Sequence, residues 1–254
     1  MPTKVLKPVW TNKYLVSAFD VDHRLEAKIT SLCNYFQESA WQHATHLRVG
    51  YDQVKLKNLA WILSRLRVQV IRYPQWREEL VLETWPKGID GPHALRDFCI
   101  LNKKGDVLVR GASAWLLLNT QTKKPARLEE ELSHIISFNK NVHAIEEKIP
   151  RLRELTTKND VRILEAGYSD LDANAHVNNV RYIAWSCDAV NPDIHLKNRI
   201  SDFTINFLSE TMIGEQTQVS ITKEPGNNYL IEGMHARKEQ ASFRARITFE
   251  PLQD

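Results

Sequence analysis

The densest run of polar, chemistry-bearing side chains is Asp170-Leu-Asp172-Ala-Asn174-Ala-His176-Val-Asn178-Asn179. It joins a predicted strand to a predicted helix. A helix N-terminus offers unpaired backbone N–H groups and the positive end of the helix dipole, where a developing oxyanion is stabilised. If the run is extended, the carboxylate of Asp172, the amide of Asn174 and the imidazole of His176 fall at alternate positions and point to one side. Asp and Asn also favour caps and turns, so an elaborate N-cap explains the same residues. Asp22-His-Arg24-Leu-Glu26 stands 150 positions earlier than Asp172 and its neighbours (172 − 22 = 150). There the Asp is kept, while Arg24 and Glu26 replace Asn174 and His176. A fold that accepts Arg and Glu does not require Asn and His, which favours chemistry in the second copy.

The elements that must position these residues are written in the hydrophobic periodicity. Tyr14 to Asp22 reads as a strand ending in a turn. Ile29, Leu32, Cys33, Phe36, Ala40, Ala44 and Leu47 recur at spacings of three and four and predict a long helix, with Gly50 as its stop. Leu66, Val68 and Val70 alternate with Arg65, Arg67 and Gln69, a half-buried strand. Strands are predicted at Leu80–Trp85, Ala94–Leu101 and Val107–Leu118, the last two joined by a turn in which Gly105 can take positive φ. Charges cluster between Gln121 and Asp160, a surface linker with a helical piece. The plan then repeats: a strand over Val161–Tyr168, a helical stripe over Val177, Val180, Ile183, Ala184, Cys187 and Val190 stopped by Asn191-Pro192, and strands near 200–209, 216–223, 228–237 and 241–250. Ile71 to Glu78 aligns with Phe207 to Glu215. Two copies of one α+β module are expected: residues 1–121, a linker over 122–160, and residues 161–254.

Composition narrows the classes. The 254 residues are 43% hydrophobic and 26% charged, an ordinary globular balance. No apolar run approaches the roughly 18 residues of a membrane span. Three widely separated cysteines, Cys33, Cys99 and Cys187, form no CxxC pair and suit a reducing compartment. The first ten residues lack the apolar core of a signal peptide, so a cytoplasmic protein is expected. A net charge of +3 suits an acidic partner but falls short of a nucleic-acid stripe. His43 and His46, at i and i+3, suggest a metal pair, yet no carboxylate shares their spacing and solvated helix histidines explain them better. Cys187 lies on the apolar stripe of its helix and reads as core rather than as a nucleophile. Arg65, Arg67, Arg72 and Arg77 could form a basic face, or merely alternate on an exposed strand.

The run Leu171-Asp172-Ala-Asn174-Ala-His176-Val177-Asn178-Asn179-Val-Arg-Tyr182-Ile183-Ala-Trp185 closely resembles the signature of the plant-type acyl-acyl-carrier-protein thioesterases and their bacterial relatives. Leu59-Ala-Trp61, Tyr73-Pro74-Gln-Trp76, Glu83-Thr84-Trp85 and Arg96-Asp97-Phe98 resemble its N-terminal stretches, and the resemblance covers about residues 10–250. It implies a double hotdog fold, two tandem modules each with an antiparallel sheet wrapped around one long helix. It also implies hydrolysis of fatty acyl thioesters on acyl carrier protein. A family Glu beyond the signature falls at Glu210, and Thr211 stands where a Cys often follows, so no thiol nucleophile is available there.

Asp172, Asn174, His176 and Glu210 are therefore the candidate catalytic residues. Water is the expected nucleophile, with Glu210 or His176 as base and Asn174 with backbone N–H groups positioning water or oxyanion. No organic cofactor and no metal is expected, because a thioester is already activated. The implied partners are acyl carrier protein, whose phosphopantetheine arm belongs to the substrate, the fatty acyl chain, and a second copy of this chain. Nucleic acid is not expected. The setting implied is a bacterial cytoplasm. The rival readings are another hotdog acyl-thioester enzyme, such as an acyl-CoA thioesterase or a dehydratase, and a non-catalytic acyl-binding protein.

Overall fold

The computed structural model describes residues 6–135, 138–139, 142–156 and 159–252. The chain divides into two compact units, one of residues up to Ser64 with Val70–Lys148, the other of Arg65–Gln69 with Ile149–Asp254.

The first unit opens with β1 (Trp10–Leu15) and a single 3-10 turn at Ala18–Asp20, then α1 (Ile29–His46) and a short α2 (Tyr51–Lys55). Strands β2 (Leu59–Val70), β3 (Glu79–Asp90), β4 (His93–Asn102) and β5 (Val107–Asn119) follow, in the order β1-β3-β4-β5-β2. The first strand ends earlier than the alternation predicts. The Asp20 carboxylate accepts from Ser17 N at 3.0 Å, and Asp20 N donates to Ser17 O, which closes a turn before the apolar pattern runs out. Gly105 takes φ 89° in the β4–β5 hairpin, as its turn requires. Helix α1 buries Leu32, Phe36 and Ala40. Phe36 stacks on Phe98 of β4 at 4.4 Å between ring centroids. A Cβ on Gly111 of β5 would lie 2.5 Å from the Phe36 ring, so glycine is what admits the helix that close.

His43 is a correction to the sequence reading. It is not solvated but fully buried. The Arg96 guanidinium donates to its Nδ1 at 3.0 Å and to Thr84 Oγ1 at 3.1 Å. A guanidinium only donates, so Nδ1 is the acceptor and Nε2–H donates to Lys7 O at 2.9 Å. Desolvation and then the Arg96 charge lower the imidazole pKa to about 3. The folded pKa lies below the unfolded one, so the unfolded chain takes up the proton first. Stability from this site is complete above about pH 6.5 and falls as pH drops toward 3. Between pH 7 and 5 the loss should be about 2 kcal/mol. Urea midpoints at the two pH values should show that share missing in His43→Gln; an unchanged pH dependence in the variant would refute it.

After α3 (Leu128–Glu131), the second unit repeats the plan. It contains β6 (Asn159–Glu165), a 3-10 turn at Tyr168–Asp170, α4 (Asn179–Ala189), α5 (Pro192–Lys197), β7 (Asn198–Phe207), β8 (Gln216–Glu224), β9 (Asn228–His235) and β10 (Ala241–Pro251). Its strands run β7-β10-β9-β8-β6, and Arg65–Gln69 pairs antiparallel with β7. Helix α4 ends before Asn191-Pro192, as expected. The same dipeptide then starts α5, with Asn191 Oδ1 accepting from Asp193 N at 2.9 Å and proline at the first turn.

The charged linker is not a loose surface segment. In the first unit Ala144 and Ile145 are buried, the Ala144 amide donates to Asp97 Oδ2 at 2.8 Å, and Lys87 joins Asp97 to Ile145 O. In the second unit Leu152 and Leu155 are buried against Leu230, and Asn206 accepts from Leu152 N at 2.7 Å and donates to Pro150 O at 3.1 Å. Each of the four arginines is engaged within its own unit. Arg65 donates to Ile149 O, Arg67 pairs with Asp202, Arg72 pairs with Glu78, and Arg77 lies over the Trp76 ring.

Candidate active site

Residues 170–179 do not form an extended segment. Asp172 Oδ1 accepts from Asn174 N at 2.8 Å and from His176 N at 3.3 Å, and Asp172 N donates to His176 O. The chain closes into a tight loop, with Ala175 at φ 60° and Leu171 bridged to Val177. The alternation argument therefore fails, because the carboxylate captures the amides that would otherwise keep the segment open. The first unit builds the same loop. Asp22 Oδ1 accepts from Arg24 N and Glu26 N, and Leu25 sits at φ 60°. The loop is thus a property of the fold, and the Asp at its start maintains it in both copies.

What differs is what the loop presents. In the first unit Arg24 pairs with Asp22 and with the buried Glu26, so the loop's carboxylates are tied up in an ion-pair cluster. In the second unit Asn174 is exposed and His176 is half-buried. Beyond the loop, Asn178 caps α4 through its side chain, accepting from Val180 N at 2.9 Å. Asp170 accepts from Gly167 N and pairs with Arg181 at 2.6 Å.

The fourth candidate comes from the segment after β7. His176 pairs through its backbone with Met212, and Val177 N donates to Thr211 O at 3.0 Å. This places His176 Nε2 3.5 Å from Glu210 Oε2, with the Glu210 side chain about half exposed at 53%. Thr211 is fully buried. Its amide donates to the Tyr182 hydroxyl at 3.0 Å, and Tyr182 stands among Trp185, Phe207 and Phe243. Glu210 and Thr211 therefore point in opposite directions, and the carboxylate is the one beside the imidazole. Cys187 is no rival, since burial pushes its thiol up to about 12. Among the described residues no group of three or more His, Cys, Asp or Glu could hold a metal ion.

Sequence reasoning missed three residues around this segment. Ser209 Oγ lies 2.8 Å from His235 Nε2, and His235 Nδ1 lies 3.8 Å from Glu215 Oε2. Glu215 had a signal in its alignment with Glu78. His235 had none, because only folding brings β9 to this turn.

This loop, cap and carboxylate–imidazole pair on a duplicated hotdog module define a class, and comparison supplies the family. The model of the acyl-ACP thioesterase N-terminal domain matches residues 7–136, and that of the C-terminal domain matches residues 153–251. The chain belongs to the acyl-ACP thioesterase family. It is 28% identical over 233 residues to the chloroplastic dodecanoyl-[acyl-carrier-protein] hydrolase of Cinnamomum camphora, covering 87% of this chain and 61% of that one. It is also 28% identical over 214 residues to the chloroplastic palmitoyl-acyl carrier protein thioesterase of Gossypium hirsutum, covering 80% and 52% respectively. The chain thus spans about half the length of several curated relatives it matches. An acyl-ACP thioesterase from Bacteroides thetaiotaomicron superposes with a TM-score of 0.87 at 26% identity, over 96% of this chain and 98% of that one. The 12:0-ACP thioesterase of Umbellularia californica shares the fold with a TM-score of 0.87 at 24% identity, over 98% and 100%. Among the described residues no helix is long and apolar enough to cross a membrane.

Proposed function

We propose that this protein hydrolyses the thioester of fatty acyl-acyl carrier protein, releasing a fatty acid and the carrier's free thiol. The observation that carries the reading is His176 Nε2 at 3.5 Å from Glu210 Oε2, beside a loop that the other copy of the module fills with an ion-pair cluster centred on Arg24. Water attacks the thioester carbonyl and gives its proton to Glu210, with His176 holding the carboxylate and water in line. The tetrahedral oxyanion collapses, the C–S bond breaks, and the leaving thiolate takes back the proton held by Glu210, which restores the carboxylate. Asn174 positions water or the oxyanion. Asp172, whose Oδ1 accepts from two loop amides, orients its neighbours. The test is release of free thiol and of the matching fatty acid from a panel of acyl carrier proteins. Hydrolysis of acyl-CoA but not of the carrier-linked substrate, hydration without thiol release, or binding without turnover would each refute it.

The carrier is an acidic protein and this chain carries +3. The apparent KM for carrier-linked substrate should therefore rise with salt more than that for a short pantetheine thioester, because exposed charge pairs are screened beyond about 8–10 Å at physiological ionic strength. Equal salt dependence would remove the electrostatic contribution.

We place the acyl chain in the first unit, between α1 and its sheet. Support comes from the longer apolar face of α1 and the small Ala40 within it. Each methylene is worth about 0.8 kcal/mol, so filling space equal to two of them should change discrimination about tenfold. Ala40→Leu should shorten the released acids. A shift with Ser186→Leu on α4 instead would put the chain in the second unit. We assign the reaction to a bacterial cytoplasm, supported by three free thiols and the Bacteroides relative, although the curated plant relatives are chloroplastic. Edge strand β6, with Val161 and Ile163 exposed, suits a second copy of the chain.

A further inference from the structure

The turn that carries Glu210 exists twice, and its two copies are braced differently. The register between them is fixed by matching backbone bonds. Ile71 N and Arg72 N both donate to Leu108 O, as Leu208 N and Ser209 N both donate to Ser242 O. Ala27 N donates to Pro74 O, as Val177 N donates to Thr211 O. Arg77 and Gly214 both take positive φ, at 66° and 74°. Arg72 thus corresponds to Ser209, Gln75 to Met212 and Glu78 to Glu215. In both copies the last residue's carboxylate accepts from the amide three positions earlier, Gln75 N at 2.9 Å and Met212 N at 3.0 Å.

In the first copy Arg72 closes the turn by itself, its guanidinium donating to both Glu78 oxygens. Serine at the corresponding position of the second copy is too short to reach Glu215. His235, arriving from the end of β9 and only 4% exposed, stands in the gap. Its Nε2 is 2.8 Å from Ser209 Oγ and its Nδ1 is 3.8 Å from Glu215 Oε2. Ser209 Oγ, 2.8 Å from Nε2 and 3.0 Å from Ala241 O, has one hydrogen to give. With that hydrogen directed to Nε2, the ring's own hydrogen sits on Nδ1, which is buried without a hydrogen-bond partner and turns its N–H dipole toward the Glu215 carboxylate. Lys238 holds Glu215 from the other side.

We infer that Ser209, His235 and Glu215 form a strut across the turn over residues 208–215, replacing the arginine strut of the first unit, and that His235 is a positioning residue that keeps Glu210 against His176. The inference rests on Glu210 serving the proposed hydrolysis. Between its braced ends the turn holds Glu210, Thr211 and Met212, and Met212 carries the backbone bridge to His176. Releasing one end lets the carboxylate drift. A displacement near 1 Å at a reacting group can cost about 10² in rate.

The experiment compares wild type, His235→Ala, Ser209→Ala and the double variant His235→Ala/Ser209→Arg. Turnover on acyl carrier protein substrate and residue-resolved amide exchange are both read. His235→Ala and Ser209→Ala should lower kcat about 10-fold to 10²-fold with KM within twofold. Exchange should speed up at Glu210 to Met212 but not in the middle of β9 or β10. The added Ser209→Arg should pair with Glu215 as Arg72 does with Glu78 and return most of the lost turnover. Should His235→Ala fail to fold, Ser209→Ala, which leaves no large cavity, carries the same comparison. Turnover within twofold of wild type together with unchanged exchange overturns the strut. So does an acyl group trapped on Ser209, which would make the pair a nucleophile and its base. Glu210→Gln separates the two levels. If it leaves turnover intact, the functional reading falls, while amide exchange still decides the strut.

Discussion

Replacing His176 with alanine should lower turnover on acyl carrier protein substrate by about 10²–10⁴, the range expected when a positioned acid–base group is lost. The fold should not suffer. The bonds that place this residue are backbone bonds, His176 N to Asp172 Oδ1 and the bridge to Met212, and alanine keeps both. The imidazole itself is 31% exposed, so its removal leaves no sealed cavity. The first unit carries Glu26 at the corresponding place and forms the same loop. A normal melting curve with collapsed turnover is the expected pair of results. Near wild-type turnover at an unchanged melting temperature would remove His176 from the site. Because alanine leaves Glu210 without its imidazole neighbour, the residual rate should also respond less to a further Glu210→Gln change than wild type does. Residues that act as one unit are strongly non-additive in this way.

How far the site could be read beforehand follows from the range of the interactions that build it. The helix before the sheet and the Gly105 hairpin are local patterns that the structure follows closely, whereas the first strand ends at Leu15 rather than near Asp22 and β2 already begins at Leu59. The 172–176 loop is local too, yet it looked extended. Its closure depends on a carboxylate capturing two amides and on an alanine accepting positive φ, and Ala175 carries no glycine or asparagine to announce that. Long-range bonds were not legible at all. His43 is buried because Arg96, on a strand distant in sequence, meets its Nδ1. The linker's apolar residues are covered because Asp97 and Asn206 accept from its amides. His235 belongs with these. Nothing around it in sequence suggests that it meets Ser209. Glu210 is legible only through the family resemblance and its spacing; the repeat gives the turn and its closing carboxylate at Glu78 and Glu215, but sets Tyr73 opposite Glu210.

The second large effect should be seen at Glu210, and its contrast with Thr211 decides the mechanism. If a hydroxyl at the position of the family's cysteine were the nucleophile, Thr211 would need a base to hold its proton, since an ordinary hydroxyl is a poor nucleophile. Thr211 is fully buried, and its amide is bound to the Tyr182 hydroxyl. Glu210, one residue earlier, points the other way and reaches His176. Neighbouring side chains on extended backbone face opposite sides, so one of the two can serve the site and the other packs. Glu210→Gln keeps the shape and removes the base, and should cost at least about 10² in turnover, about 2.7 kcal/mol in the barrier. Thr211→Ala should cost less than about tenfold, under about 1.4 kcal/mol, and should show its effect in the melting temperature instead, because it removes a buried methyl group from beside Tyr182. Single-turnover assays of the two variants, with mass spectrometry of the quenched protein, give the answer. The reverse order of effects, or an acyl group on Thr211, would replace water attack with covalent catalysis.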